Sequence, residues 1–259
     1  MAISPAGTRS LDTDGNSFLV VAHYENGLYR FDITNPTSPQ NQGVTDTDGT
    51  PKDVVLDANT NQAYVADYDG GLDIFDVSQA AAPSFISEYD ALALVRTVGY
   101  LQNTLYIGSQ TGEMQILDIS TPANPSMVGS YMASGDIHGI AVATGLNNNL
   151  NGVIMATWNQ GVEVAVVSDP QNPYFGGMLD TRGLGKAVYR DDANSQVYLA
   201  DSYSMYIMEL QTVNAGNMPG RNIPENYSLS QNFPNPFNPS TSMVFSLPRG
   251  ADVSLAVYD

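Results

Sequence analysis

Pro51 to Pro83 reads PKDVVLDANTNQAYVADYDGGLDIFDVSQAAAP, and the order of its signals decides the fold. An apolar run, Val54 to Leu56, meets an Asx-rich turn, Asp57 to Asn61. A second run, Ala63 to Ala66, meets the Gly70-Gly71 turn, and a third alternates from Leu72 before Pro83 closes the stretch. β-Branched and apolar runs of this length, divided by Asx and Gly turns, are hairpin chemistry.

The same order returns along the chain. Gly185 to Leu210, GKAVYRDDANSQVYLADSYSMYIMEL, overlays the first stretch through its Asx turn at Asp191 to Ser195 and its Y-L-A-D segment. Five copies align, and the residue after the third run is Asp32, Asp76, Asp118, Val166 or Glu209, spaced by 42 to 48 residues. That spacing is one four-stranded propeller blade. Four copies then enter a proline-bounded corner, at Pro36 and Pro39, at Pro83, at Pro122 and Pro125, and at Pro170 and Pro173. Proline costs no ladder hydrogen bond at such an edge. The expected fold is all-β, a propeller of about five four-stranded blades. Five copies either close on themselves or form an arc of a larger ring. The arc is favoured, because no outer strand for the fifth copy is recognisable between Leu210 and Gly220 and only Met1 to Ser4 remain in front to supply one.

On these residues the chain resembles the LVIVD-repeat proteins, whose blades read YVADxxGGLxIxDVSxPxxP. Tyr64 to Pro83, Leu105 to Pro125 and Leu19 to Pro39 match best, and the likeness extends from Ser4 to Leu210. The fourth copy departs from it, with Val166 in the acidic position and an Asn-rich insertion at Asn147 to Asn151. The resemblance implies a propeller and a secreted or cell-surface protein without an established catalytic activity; it adds a fold and no reaction.

Composition agrees with strands and turns, since Gly, Pro, Asn, Asp, Ser and Thr abound. The 9 Lys and Arg face 27 Asp and Glu, a formal net charge of −18, so the overall field repels nucleic acid and anionic membranes. There is no cysteine, hence no disulfide, thiolate metal site or cysteine nucleophile. No apolar run approaches the roughly 20 residues of a membrane span, so no membrane insertion is expected. Met1 to Ser10 lacks the pattern of an export leader.

The composition changes after the fifth copy. The reading is a propeller over residues 1–213, a linker over 214–225 and a partial Ig-like sandwich over 226–259. Pro224 to Asp259 is similar to the type A sorting domain that ends cargo of the bacterial type IX secretion system, through the motif NFPNPFNPST. Asn232, Pro234, Asn235, Pro236, Phe237 and Asn238 carry the match. Alternating Asn and Pro cannot build helix or a central strand and present a stiff extended edge. The resemblance implies the translocon as partner and an extracellular or outer-membrane-surface location in a Gram-negative bacterium. The family continues well past Asp259, so the expectation is an incomplete sorting domain, with strands at Tyr227 to Gln231, Met243 to Leu247 and Val253 to Tyr258, on a fragment truncated at both ends.

Aligning the first strands brings Arg9, Lys52, Arg96, His138 and Lys186 to one repeat position. First strands line a propeller's channel, so these side chains would ring its mouth and hold an anionic ligand or acidic glycan. Competing with this is simple cross-strand pairing, which would set Lys52 against Asp67 and Lys186 against Asp201 and leave His23, Ser109 and Thr157 opposite the other three. Tyr24, Tyr68 and Trp158 share a turn position at the rim, where aromatics meet sugars or protein partners or pack structurally. No cofactor is expected. Calcium is the one candidate, because Asp12 to Asn16 and Asp46 to Gly49 begin like oxygen-ligand loops, but neither has a glutamate in twelfth place and Asp-Gly is ordinary hairpin chemistry. His23 and His138 lie in different copies without zinc spacing. The leading reading is a non-enzymatic binding module. Its rivals are a hydrolase or lyase using channel carboxylates and a structural spacer to a catalytic domain.

Overall fold

The computed structural model describes residues 7–90, 92–146, 150–181, 183–209, 228–229 and 245–246. The chain divides into two compact units, Met1–Leu210 and Gln211–Asp259.

The first unit is a five-bladed β-propeller in which each blade is an antiparallel meander. Blade one holds β1 (Thr8–Thr13), β2 (Phe18–His23), β3 (Gly27–Asp32) and β4 (Gln40–Thr45). Blade two holds β5 (Asp53–Asp57), β6 (Gln62–Ala66), β7 (Leu72–Asp76) and β8 (Ser84–Tyr89). Blade three runs through β9 (Val95–Leu101), β10 (Thr104–Ser109), β11 (Glu113–Asp118) and β12 (Ser126–Met132). Blade four is β13 (Ile137–Leu146), β14 (Leu150–Thr157), β15 (Gly161–Val166) and β16 (Tyr174–Leu179). Blade five shows three strands among the described residues, β17 (Gly185–Asp191), β18 (Gln196–Asp201) and β19 (Met205–Glu209). The stretch expected to lack its fourth strand, Leu210 to Gly220, lies outside them.

The repeat alignment survives in the ladder. Asp32, Asp76, Asp118, Val166 and Glu209 pair with Phe18, Gln62, Thr104, Gly152 and Gln196, the first residue of the second-strand ladder each time. These residues close their third strands rather than follow them. The Asx turns form as their chemistry dictates: Asp57 accepts from the Asn59 N–H and the Thr60 hydroxyl, and Asn61 takes a φ of 56°.

Apolar clusters fill the junctions between consecutive blades. Phe18, Val20 and Leu28 meet Val54, Val65 and Phe75; Tyr64, Leu72 and Ile74 meet Val98, Ile107 and Leu117. Blade three meets blade four through Met114, Ile116, Val153 and Met155, and blade four meets blade five through Ile154, Val162, Val197 and Leu199. The opposite face of blade five differs. Met205 and Ile207 are 66% and 57% exposed, whereas their equivalents in blade two, Leu72 and Ile74, are fully buried.

One junction carries a misfit. Arg30 occupies the register position held by Ile74, Ile116 and Val164 in the next three blades. Its guanidinium lies 4.1 Å from the Phe18 ring centre and donates Nε–H to the Val77 carbonyl at 3.0 Å, while Nη1 is buried without a partner. Burial pushes it down from the usual arginine range, against the pull of Asp14 and Asp32. A buried cation lacking a carboxylate costs more than the apolar residue its repeats use. Arg30→Ile is therefore expected to stabilise the protein by about 1–2 kcal/mol. Urea unfolding measures it, and an unchanged or lowered midpoint would mean the guanidinium is better solvated than this geometry implies.

In the second unit, β20 (Ser228–Leu229) pairs antiparallel with β21 (Phe245–Ser246). The motif residues Asn232, Pro234, Asn235, Pro236, Phe237 and Asn238 lie outside the described residues, as does the strand expected at Val253 to Tyr258.

Candidate functional site

β1, β5, β9, β13 and β17 converge on one cavity of about 690 Å³, and Arg9, Lys52, Arg96, His138 and Lys186 all line it. The five residues that the repeat alignment singled out therefore meet in space.

Their placement follows from a defect in the ladder. In blade one Thr8 pairs with His23 and Ser10 with Ala22, leaving Arg9 as an extra residue. The same skip isolates Arg96 between Val95 and Thr97, His138 between Ile137 and Gly139, and Lys186 between Gly185 and Ala187. In blade two Lys52 stands just ahead of the paired strand, with its N–H donating to the Ala66 carbonyl at 2.8 Å. A β-bulge breaks the alternation of sides and re-aims the bulged side chain.

In the four bulged blades the expected cross-strand pairing is displaced by one place. Asp201 sits opposite Gly185 rather than Lys186, and the residues opposite His23, Ser109 and Thr157 are Thr8, Val95 and Ile137. Asp67 instead accepts from the Thr47 hydroxyl at 2.9 Å and the Gly49 N–H at 2.6 Å, and Asp201 accepts from the Thr181 hydroxyl at 2.6 Å. Among the described residues the one ion pair is Arg190 with Asp192, away from the cavity.

Three of the four cations rest on aromatic rings. The Arg9 guanidinium lies 4.8 Å and Lys52 Nζ 4.9 Å from the Tyr24 ring centre, and Lys52 Nζ is also 4.6 Å from that of Tyr68. Lys186 Nζ is 3.4 Å above Trp158, on which the His138 imidazole stacks at 4.2 Å. Gln110, the third copy's counterpart of these aromatics, accepts from the Tyr68 hydroxyl and from Arg96 at 3.4 Å. The rim aromatics thus carry this chain's own cations on their faces, and the two residue sets distinguished in the sequence form one constellation. Cation–π contact of this kind contributes about 0.5–1 kcal/mol at exposed sites and holds a long side chain still.

The charges act on one another. Burial first, then Arg9 and Arg96, pushes the Lys52 ammonium below its usual range, with Asp69 and Asp67 pulling the other way. Burial, then Arg96 and Lys186, lowers His138 to about 4, so its imidazole is neutral near pH 7. At that pH Arg9, Lys52, Arg96 and Lys186 supply the positive field.

Beneath the cations runs a belt that sequence reading did not single out. Asp53 accepts from the Ser10 hydroxyl at 2.7 Å, the Thr97 hydroxyl at 2.8 Å and the Val98 N–H at 3.1 Å. The Thr97 hydroxyl in turn accepts from the Ile140 N–H at 3.1 Å. Ser10, Asp53 and Thr97 each directly follow a basic residue, so the recurring basic-polar pairs Arg-Ser, Lys-Asp and Arg-Thr were the available signal. Asp12, also on the cavity, accepts from the Leu56 N–H at 2.8 Å.

The Asp12 to Asn16 loop, which resembles a calcium-ligand loop, closes on its own donors. Burial raises Asp14, but the Ser17 hydroxyl and the N–H groups of Phe18, Asn16 and Ser17 outweigh it and hold the carboxyl at about 2. Among the described residues no group of three or more His, Asp or Glu is placed to hold a metal ion. His23 is fully buried, its Nδ1 accepting from the Glu25 N–H at 3.2 Å.

No curated protein is similar to this chain in sequence. The fold is similar to the crystal structure of a functionally unknown protein from Desulfotomaculum acetoxidans DSM 771, at 12% identity and a TM-score of 0.67. The alignment covers 80% of this chain and 66% of that one. Residues 8–47, 49–91 and 99–133, which lie in the first three blades of the β-propeller, match the LVIVD repeat.

Proposed function

We propose that the protein is a non-enzymatic binding module that holds an anionic ligand at the mouth of its channel. The observation that carries this is the cavity itself: two arginines, two lysines and an imidazole line it, without an ion-paired carboxylate among the described residues. In a chain of net charge −18, assembling cations that repel one another costs stability, which a bound anion would return. Asp12 and Asp53, the carboxylates on the same cavity, are engaged by backbone and hydroxyl donors between blades. That argues against the hydrolase or lyase reading, which needs a free acid–base pair. The resemblance of NFPNPFNPST to the type IX sorting signal supports export to the outside or outer surface of a Gram-negative cell, where acidic glycans are available ligands.

Trp158 is the single tryptophan and Lys186 rests on its face, so its fluorescence reports on the site. Galacturonate added at low ionic strength is expected to shift that emission and to give a saturable calorimetric isotherm. Lys52→Ala with Lys186→Ala is expected to weaken binding at least about tenfold, since hydrogen bonds to charged groups contribute about 1.5–3 kcal/mol each. Equal binding by the double variant would place the ligand elsewhere.

A further inference from the structure

The five side chains form a continuous sequence around the mouth. Arg9 and Lys52 share the Tyr24 ring; Lys52 and Arg96 are joined through Tyr68 and Gln110; His138 and Lys186 share Trp158. Arg96 closes the sequence, since it acts electrostatically on both Lys52 and His138. No member is a separate pocket with walls of its own. Arg9, Lys52 and Lys186 are seated on rings and Arg96 on the Gln110 amide oxygen, and all line a common space of about 690 Å³. A water molecule's share of liquid volume is about 30 Å³, so the space far exceeds one carboxylate. A small monovalent ion placed there would meet one or two cations and leave the others repelling.

We propose that the site is built for one multivalent oxyanion, bearing two or more carboxylate, phosphate or sulfate groups on a single molecule and bound across the ring. This rests on the anion-binding reading and specifies the ligand's valence. Once the first acidic group is held, the second meets its cation at a high effective concentration, and linked contacts commonly strengthen binding by about 10²–10⁴-fold. The seating on Tyr24, Tyr68 and Trp158 limits the side-chain entropy lost on binding. The protein's overall negative charge works against indiscriminate attraction of polyanions, so selectivity has to come from this cavity.

The test titrates the full chain at pH 7 with matched probes, namely acetate against citrate, galacturonate against trigalacturonate, and orthophosphate against tripolyphosphate. Trp158 emission and calorimetry are the readouts. The expected result is one multivalent probe per chain, bound at least about tenfold more tightly than its monovalent counterpart. The carboxylate and phosphate arms identify which oxyanion is preferred. Lys52→Gln and Lys186→Gln, at opposite parts of the sequence, should each reduce the preference and together abolish it, with thermal melts verifying that both variants fold. Equal affinity within each pair, or two or more ions per chain, overturns the multivalent proposal while leaving anion binding intact. No binding by any probe removes both.

Discussion

Asp53→Ala should destabilise the protein by about 2–4 kcal/mol and weaken anion binding even though it removes a carboxylate from the cavity. The Ser10 and Thr97 hydroxyls and the Val98 N–H lose their acceptor together. Each buried group left unmade costs about 1–3 kcal/mol, part of which water in the adjoining cavity recovers. Because these donors lie next to Arg9 and Arg96 in sequence, loss of the belt frees the bulges that aim the cations. Burial is the largest influence on Asp53 and raises its pKa, against the hydrogen bonds from Ser10, Thr97, Val98 and Val54. A raised folded pKa means that the carboxyl contributes most at low pH and less as pH climbs through the folded value. The deficit should therefore be largest in acid and shrink with rising pH, and Asp53→Asn should lose less than Asp53→Ala. Chemical unfolding at several pH values, paired with citrate titration, measures both; an Ala variant as stable as the parent would show that the belt contributes nothing.

The second large effect has the opposite sign. Asp73 is 4% exposed and accepts no hydrogen bond among the described residues. Its register equivalents are Gln115, which accepts from the Tyr89 hydroxyl, and Glu163, which accepts from the Tyr131 hydroxyl and from Ser134. In blade one the place of those tyrosines is taken by Thr45, whose short hydroxyl donates to the Pro83 carbonyl instead. Burial, followed by repulsion from Asp67, Glu88 and Asp48, pushes Asp73 up to about 8. Its unfolded value is near 4, so the protein should lose stability progressively as pH rises from about 4 through about 8, as the unfolded chain releases a proton that the folded chain retains. Asp67, raised to about 6 mainly by burial, adds to the trend over the lower part of that interval. Asp73→Asn should match the parent near pH 4 and exceed it at pH 8 by about 1–3 kcal/mol, a gain that moves the melting temperature by about 2–4 °C per kcal/mol in a domain of this size. Parallel melting curves for the two proteins at all pH values would contradict the assignment.

The fold was readable because its signals are local and repeated. Asp57 to Asn61 and Asp191 to Ser195 make the same turn, and the five third-strand residues from Asp32 to Glu209 fall on one register line. The cavity was readable for the same reason, as one repeat position holds Arg9, Lys52, Arg96, His138 and Lys186. Their partners were not. A sequence alignment counts residues evenly, whereas the bulge removes one residue from the ladder, so the predicted Lys186–Asp201 pair was displaced by one place. Lys52 lying between the Tyr24 and Tyr68 rings depends on two neighbouring blades at once, and so does Asp53 between Ser10 and Thr97. Distances across blade junctions are set by packing rather than by spacing along the chain. Arg30 and Asp73 were invisible as strained positions, because only the buried register turns an ordinary charged residue into a costly one.

The bulges at Arg9, Arg96, His138 and Lys186 have an evolutionary consequence. A residue outside the paired register can be exchanged without unpairing any backbone amide or emptying any apolar junction. The mouth can therefore drift from one ligand chemistry to another, one blade at a time, while the scaffold beneath stays as stable as before. Homologous propellers built this way would diverge fastest at the position that confers their specificity.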